Sequence, residues 1–305
     1  MSDAQNLIWR DGELIPFAEA TIHVLSHAAN RGSEVFDVLR VLPSAEGPSA
    51  VGLRDHVARF DHSMRLMGMD SPYELSYLER AVAQTVLANP GWPECMVKLV
   101  AAWSEVAAAT MPESSRPAVF VAVVASTNSV LGGPAAKIQT ATMAKIPASI
   151  LPPSLKVAAS YTPGVRHQLA ARAAGFDDVL FRTVDGSLAE APSQSLLVVT
   201  GGRILAPPLD SVLDGITRRL LIDLALDRGI PVEIREVTWA EVTGASELIL
   251  SSTSRFVRPL GQLDDQIFTV PGPIAVQLAT EVGRLVEGRH RLSSRWLTPL
   301  GALVA

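Results

Sequence analysis

Hydrophobic and polar positions recur along this chain with two different periods, and the places where the period changes mark out its elements. Near the start, Ile8 and Trp9 on one side of Asp11-Gly12 and Leu14 and Ile15 on the other predict a hairpin closed by a type I′ turn. Between 53 and 67 the apolar residues Leu53, Val57, Phe60, Met64 and Met67 return every three or four positions. That spacing predicts an amphipathic helix carrying Arg54, Asp55 and Arg59 on it or at its edges. A second helix is expected from Tyr77 to Leu87, ended by Asn89-Pro90-Gly91. Met96 to Ala102 and Pro117 to Ala125 read as buried strands, and His23 to His27 as strand and loop.

The stretch Ser126 to Ala136 is rich in Ser, Gly, Asn and Pro and is the best linker in the chain. Beyond it the pattern predicts a strand around Leu155 to Ser160, a helix from Pro163 to Ala174, and hairpins turning at Asp185-Gly186 and Gly201-Gly202. A helix from Ile216 to Asp227 follows, with Gly229 as its stop. Then come a strand over Glu247 to Leu250, a hydroxyl-rich turn from Ser251 to Ser254, and a last helix over Pro273 to Glu287. The fold class is α/β (α+β), with a smaller N-terminal domain over 1–127, an interdomain loop over 128–136 and a larger C-terminal domain over 137–305. A chain of 305 residues with 48% hydrophobic content is long enough to build two cores.

Charge and composition narrow the function classes. The net charge is −5, and no run of Lys and Arg is long enough to track a phosphate backbone, so nucleic acid is not an expected partner. The longest apolar run, near Ala118 to Ala125, is too short to cross a bilayer, and Met1 to Arg10 lacks the pattern of a signal peptide. Cys95 is the only cysteine, which excludes an intramolecular disulfide and a cysteine zinc cage and suits the cytoplasm. Phosphate-loop and dinucleotide signatures are absent. His23 and His27 have a His-x-x-x-His spacing, but Val24 stands where a zinc protease carries its glutamate, so no metal is expected.

The chain has four lysines, Lys98, Lys137, Lys145 and Lys156, among 26 basic residues. Lys156 lies in the apolar stretch Leu155-Lys156-Val157-Ala158-Ala159, where desolvation favours the neutral amine that forms a Schiff base. A strand lysine more often faces solvent. The residue alone therefore does not decide the chemistry.

Its context does. Lys156-Val-Ala-Ala-Ser-Tyr161, Ala171-Arg-Ala-Ala-Gly175-Phe176, Val184-Asp-Gly-Ser-Leu-Ala-Glu190 and Leu213-Asp-Gly215-Ile-Thr217-Arg218 occur in that order. They are preceded by His23 to Arg40 and by Leu53-Arg-Asp-His56-Val-Ala-Arg59-Phe60. This set resembles the class IV aminotransferases, the branched-chain aminotransferases most closely, over nearly the whole chain.

The resemblance implies the fold-type IV arrangement of pyridoxal-phosphate enzymes, with pyridoxal 5′-phosphate held between a smaller and a larger domain, and a homodimer or larger assembly. It implies that Lys156 carries the cofactor as an internal aldimine and is the catalytic acid and base. Tyr161 would bond the phenolic oxygen, and Glu190 would keep the ring nitrogen protonated. The phosphate would be held by Arg59, by Gly215, Ile216 and Thr217 at a helix start, and by Ser252 and Thr253. The activity implied is amino transfer between an amino acid or amine and a 2-oxo acid by two half-reactions. The same scaffold also hosts 4-amino-4-deoxychorismate lyase and D-amino-acid and (R)-amine transaminases.

Departures from the family pattern concern the substrate pocket, for which Arg31, Phe36, Met96, Lys98 and Ser254 are the candidates. Arg31 and Met96 stand in place of tyrosines, Lys98 in place of an arginine, and the loop around Thr127 to Val130 has no aromatic. Such a wall grips a branched aliphatic chain less closely.

Overall fold

A computed structural model describes residues 6–92, 94–106, 111–112, 114–126 and 131–304. The chain divides into two compact units. One comprises the described residues up to 126 together with Leu155–Ala159 and those from Leu285 onward. The other comprises those of 131–154 and Ser160–Arg284. Two short segments that a single cut would assign to the second unit thus pack in the first.

The first unit is built on an antiparallel sheet. Strands β1 (Leu7–Arg10) and β2 (Glu13–Pro16) form the expected hairpin, with Asp11 and Gly12 at φ 48° and 107° as a type I′ turn requires. After a short helix α1 (His27–Arg31) come β3 (Val35–Ser44), β4 (Gly47–Val51), helices α2 (Leu53–Leu66) and α3 (Leu75–Leu87), β5 (Cys95–Ala102) and β6 (Ala118–Ala125). The order across the sheet is Leu297–Pro299, β4, β3, β5, β6, β1, β2. Helix α2 buries Leu53, Val57, Phe60 and Met64, the stripe its spacing predicts, and packs against β3. Each such side chain contributes roughly 1.5–3 kcal/mol by leaving water.

Two expectations fail in this unit. His27 is not in a strand or loop: it opens α1, capped by Ser26 Oγ accepting from the Ala29 amide and closed by Gly32 at φ 64°. Five residues are too few to show a helical period. The strand expected around Leu155 to Ser160 is a single bridge, Val157 to Val35, followed by a 3-10 turn over Ala158–Tyr161. From Arg40 onward β3 is flanked by β4 and up to Val41 by β5, so only its first residues are left to pair with this segment.

The second unit consists of β7 (Ala136–Ala144), α4 (Thr162–Ala173), β8 (Asp178–Arg182), β9 (Ser195–Thr200), β10 (Arg203–Ala206), α5 (Ile216–Asp227), β11 (Val232–Ile234), α6 (Trp239–Thr243), β12 (Glu247–Ser251), β13 (Arg258–Leu263), β14 (Gln266–Ile267) and α7 (Pro273–Val286). Its strands form a mixed sheet in the order β11, β10, β9, β12, β13, β7, β8, with β14 beside β13. Leu180, Leu196, Val198, Leu205, Leu248, Leu250 and Leu260 form a core cluster within it. Helix α5 has the predicted bounds, buries Ile216, Leu220, Leu221, Leu224 and Ala225, and ends before Gly229 at φ 73°.

Glu247 is a buried carboxylate that accepts from the Ile274 and Ala275 amides at 3.0 and 2.9 Å, capping the start of α7. A Cβ on Gly272 would lie 2.1 Å from its Cδ, so the cap requires glycine there. No helix among the described residues is long and apolar enough to cross a membrane.

Candidate active site

In the first unit the chemistry gathers at the start of β3. Strand alternation sends Val35, Asp37 and Leu39 to the buried face and Phe36 and Val38 to a half-buried one. On β5, Lys98 pairs with Val38 and Met96 with Arg40, and both side chains are half-buried. Lys156 joins this group. Its carbonyl accepts from the Phe36 amide at 3.2 Å and its amide donates to Ser63 Oγ at 3.1 Å. Its Nζ lies 4.5 Å from the centre of the Phe36 ring. Lys98 Nζ lies 5.0 Å from the same ring and pairs with Glu34 at 2.8 Å.

Four of the expected residues, Phe36, Met96, Lys98 and Lys156, thus share this part of the unit. Phe36 serves both ammonium groups as a cation–π partner. Arg31 is exposed at the last position of α1. The loop around Thr127 to Val130 lies outside the described residues.

Arg59 projects from α2 toward the other face of β3. Its Nε and Nη2 donate to Asp37 Oδ2 and Oδ1 at 2.8 and 2.9 Å, a bidentate pair in which the Arg59 side chain is only 9% exposed. His56, one turn earlier on the helix, places Nδ1 2.7 Å from Asp37 Oδ1. Burial pushes the Asp37 carboxyl up, but the charges and hydrogen bonds of Arg59 and His56 outweigh it and hold the group well below the usual carboxylate range. Burial also lowers His56, and it prevails over the pull of Asp37, whose charge Arg59 already meets. Asp37 was not among the expected residues. Its signal in the sequence is a charge at a core-facing position of a strand, between Val35 and Leu39, which demands a buried partner.

Three of the expected cofactor groups of the second unit meet at one end of its sheet. Glu190 follows the turn at Asp185-Gly186, and its backbone carbonyl accepts from Phe181 at 3.0 Å. Its carboxylate Oε1 accepts from the Leu213 amide at 3.0 Å and from Lys145 Nζ. Leu213 leads through Asp214 to Gly215, which precedes α5 without any side-chain cap. A Cβ on Gly215 would lie 2.7 Å from Ser195 Oγ and 3.3 Å from Arg218 Cβ, so the cradle in front of the helix is open only because the residue is glycine.

Ser195 faces Ser251 across β9 and β12, and Ser251 runs into the turn Ser252-Thr253-Ser254, where the Ser252 and Ser254 hydroxyls lie 3.1 Å apart. The Ser251 hydroxyl is buried and has no hydrogen-bond partner among the described residues. Tyr161 directly precedes α4, whose Gly164 packs against Pro192, two positions after Glu190. Ile216 and Thr217, in the first turn of α5, are buried.

An uncapped helix start attracts an anion. A nearly buried carboxylate with a remaining lone-pair direction attracts a protonated nitrogen. Among the described residues no cluster of His, Cys, Asp or Glu could hold a metal ion. His27 is engaged instead with Ser33 Oγ at 2.8 Å and edge-on with Trp103.

Comparison with known proteins sets these groups in context. The profile of the amino-transferase class IV family matches residues 34–263, which include Lys156, Glu190 and Thr253. The branched-chain-amino-acid aminotransferase of Pseudomonas aeruginosa is 26% identical over 305 residues, covering 98% of each chain. The solved branched-chain aminotransferase of Thermoproteus uzoniensis with norvaline is 28% identical at TM-score 0.91, covering 97% of this chain and 99% of its own. A second solved branched-chain amino acid aminotransferase, complexed with N-(5′-phosphopyridoxyl)-L-glutamate and from the organism abbreviated T.th., is 30% identical at TM-score 0.90 with the same coverage.

The Asp37 cluster predicts a pH dependence of stability. Burial holds His56 below its ordinary value of 6.5 in the folded chain, so as pH falls through that value the unfolded chain takes up this proton first. The stability tied to this group is therefore whole above that value and declines as pH falls below it; Asp37 adds a second loss below 3.8. Between pH 7.5 and 5.5 the denaturation midpoint of the wild type should drop by more than that of His56→Asn, which keeps a donor but does not titrate. Equal drops would remove His56 from the account.

Proposed function

The chain belongs to the class IV aminotransferases, and on that footing we propose how its own residues hold the cofactor and handle the substrate. It is a transaminase that uses pyridoxal 5′-phosphate and moves an amino group between an amino compound and a 2-oxo acid. When bound, the cofactor supplies an electron sink, its protonated ring accepting the electron pair released at the substrate carbon.

What carries the reading of the site is the meeting of Glu190 with the uncapped start of α5 through the Leu213 amide. One element suits a ring nitrogen and the other a phosphate, the two ends of a single molecule. The residues present fit the group: the cradle at Gly215 admits no Cβ, and Glu190 Oε2 accepts no hydrogen bond among the described residues.

Glu190 keeps a proton on the ring nitrogen. The amides of Ile216 and Thr217, the hydroxyls of Ser252 and Thr253, and the Arg59 guanidinium, oriented by Asp37, bind the phosphate, and Tyr161 donates to the phenolic oxygen. Lys156 is the nucleophilic amine that fastens the cofactor. The same amine would serve as the acid and base that takes the proton from the substrate carbon and returns it in the second half-reaction. A guanidinium held bidentately by Asp37 loses little freedom on binding, so Arg59 is oriented in advance.

Phe36, Met96 and Lys98, with Arg31 and Ser254, form the substrate wall in this reading. The Lys98–Glu34 pair makes part of that wall charged rather than apolar. Each methylene left unburied forfeits roughly 0.8 kcal/mol, which disfavours leucine and isoleucine. A homodimer in the cytoplasm completes the proposal. Ile22, Val24 and Leu25 form an exposed apolar run suited to a second copy, and the Cys95 thiol is buried, with burial pushing it up to about 11. A solution mass of one chain would remove the dimer, and recovery from the membrane or periplasmic fraction would remove the compartment.

The test of substrate is a half-reaction screen in which L-amino acids, D-amino acids and chiral amines are mixed with holoenzyme and the conversion of the cofactor band to the pyridoxamine band is followed. Some donors should convert the band while L-valine, L-leucine and L-isoleucine do so poorly. Efficient conversion by all three would overturn this reading of the pocket.

A further inference from the structure

Glu190 is met by two donors on one oxygen. Lys145 Nζ and the Leu213 amide both bind Oε1, and Lys145 is itself tied to the Ser211 carbonyl at 3.2 Å. The carboxylate side chain is 12% exposed and the ammonium side chain 20%, so water does little to screen the pair. A carboxylate so nearly buried calls for a cation beside it, and its second oxygen needs a fixed direction to meet a protonated ring nitrogen.

We propose that Lys145 is a positioning residue: it meets the charge of Glu190 and keeps Oε1 occupied, so that Oε2 is the oxygen presented to the cofactor ring. The proposal rests on Glu190 being the ring's partner. Its two parts have separate physical origins. The Leu213 amide sets the direction of the carboxylate because it belongs to the backbone that leads into α5. Lys145 supplies the charge, and the Ser211 carbonyl keeps that charge from swinging away. Lys145 lies just after β7, with its own amide bonded to the Arg182 carbonyl at 2.9 Å, so both ends of the residue are anchored. Of the four lysines, this one thereby has a purpose that needs its charge rather than its nucleophilicity.

The experiment compares holoenzymes of the wild type, Lys145→Met, Lys145→Gln, Lys145→Arg and Glu190→Gln, reading the cofactor Kd and kcat with a donor found by the screen. Loss of the ammonium should raise the cofactor Kd and lower kcat, because the Glu190 carboxylate is then no longer fixed beside the ring nitrogen. Lys145→Gln, which retains a donor without the charge, should show the same two losses, and it serves if the Met variant fails to fold. Lys145→Arg should restore both readouts. A Kd and a kcat unchanged in the uncharged variants would overturn the role of Lys145, provided that Glu190→Gln is crippled. A Glu190→Gln enzyme of normal activity would instead strike down the assignment of Glu190 on which the proposal rests.

Discussion

A carboxylate taken out of water has to be met by a cation or by hydrogen bonds, because an unpaired buried charge costs several kcal/mol. Each unit of this protein contains one such carboxylate at its functional end. In the first, Asp37 is fully buried under α2 and receives Arg59 through two hydrogen bonds and His56 through a third. In the second, Glu190 receives Lys145 and the Leu213 amide. The demand for pairing fixes the orientation of Arg59 in one unit and of Glu190 in the other, two side chains proposed to hold the cofactor. Neither needs to be ordered by ligand, and that preorganisation is what a binding site for a small anionic molecule requires.

The strong periodic elements were legible in the sequence. Helices α2 and α5 and the Asp11-Gly12 hairpin follow from spacing and turn chemistry alone, since their apolar stripes face cores large enough to reward burial. Arg59, Lys156 and Glu190 were marked as candidates by the long motifs around them. Their supports were not. Asp37 and Lys145 act through contacts made by other parts of the chain, and sequence spacing does not encode a bond between residues 37 and 59 or between 145 and 190. Only the misplaced charge of Asp37 between two core residues hinted at one of them. The Lys156 segment reads as a strand because Leu155 and Val157 alternate with it, yet it makes a single bridge to β3 before turning away, so tertiary structure overrode local pattern.

In the proposed reading, specificity follows from the face of β3 that carries Phe36. An aromatic ring flanked by two ammonium groups, one of them paired to Glu34, is a different surface from a closely packed apolar wall. Branched-chain aminotransferases share the scaffold with this chain. The scaffold dictates the cofactor and the class of reaction, while a few wall residues select the substrate.

The account turns on Lys156 being the residue that fastens the cofactor, and reduction of the holoenzyme with borohydride followed by peptide mapping tests it directly. The label should be found on the peptide containing Lys156 and should vanish, together with turnover, in Lys156→Ala. Label on Lys145, Lys137 or Lys98 would contradict the account at its centre.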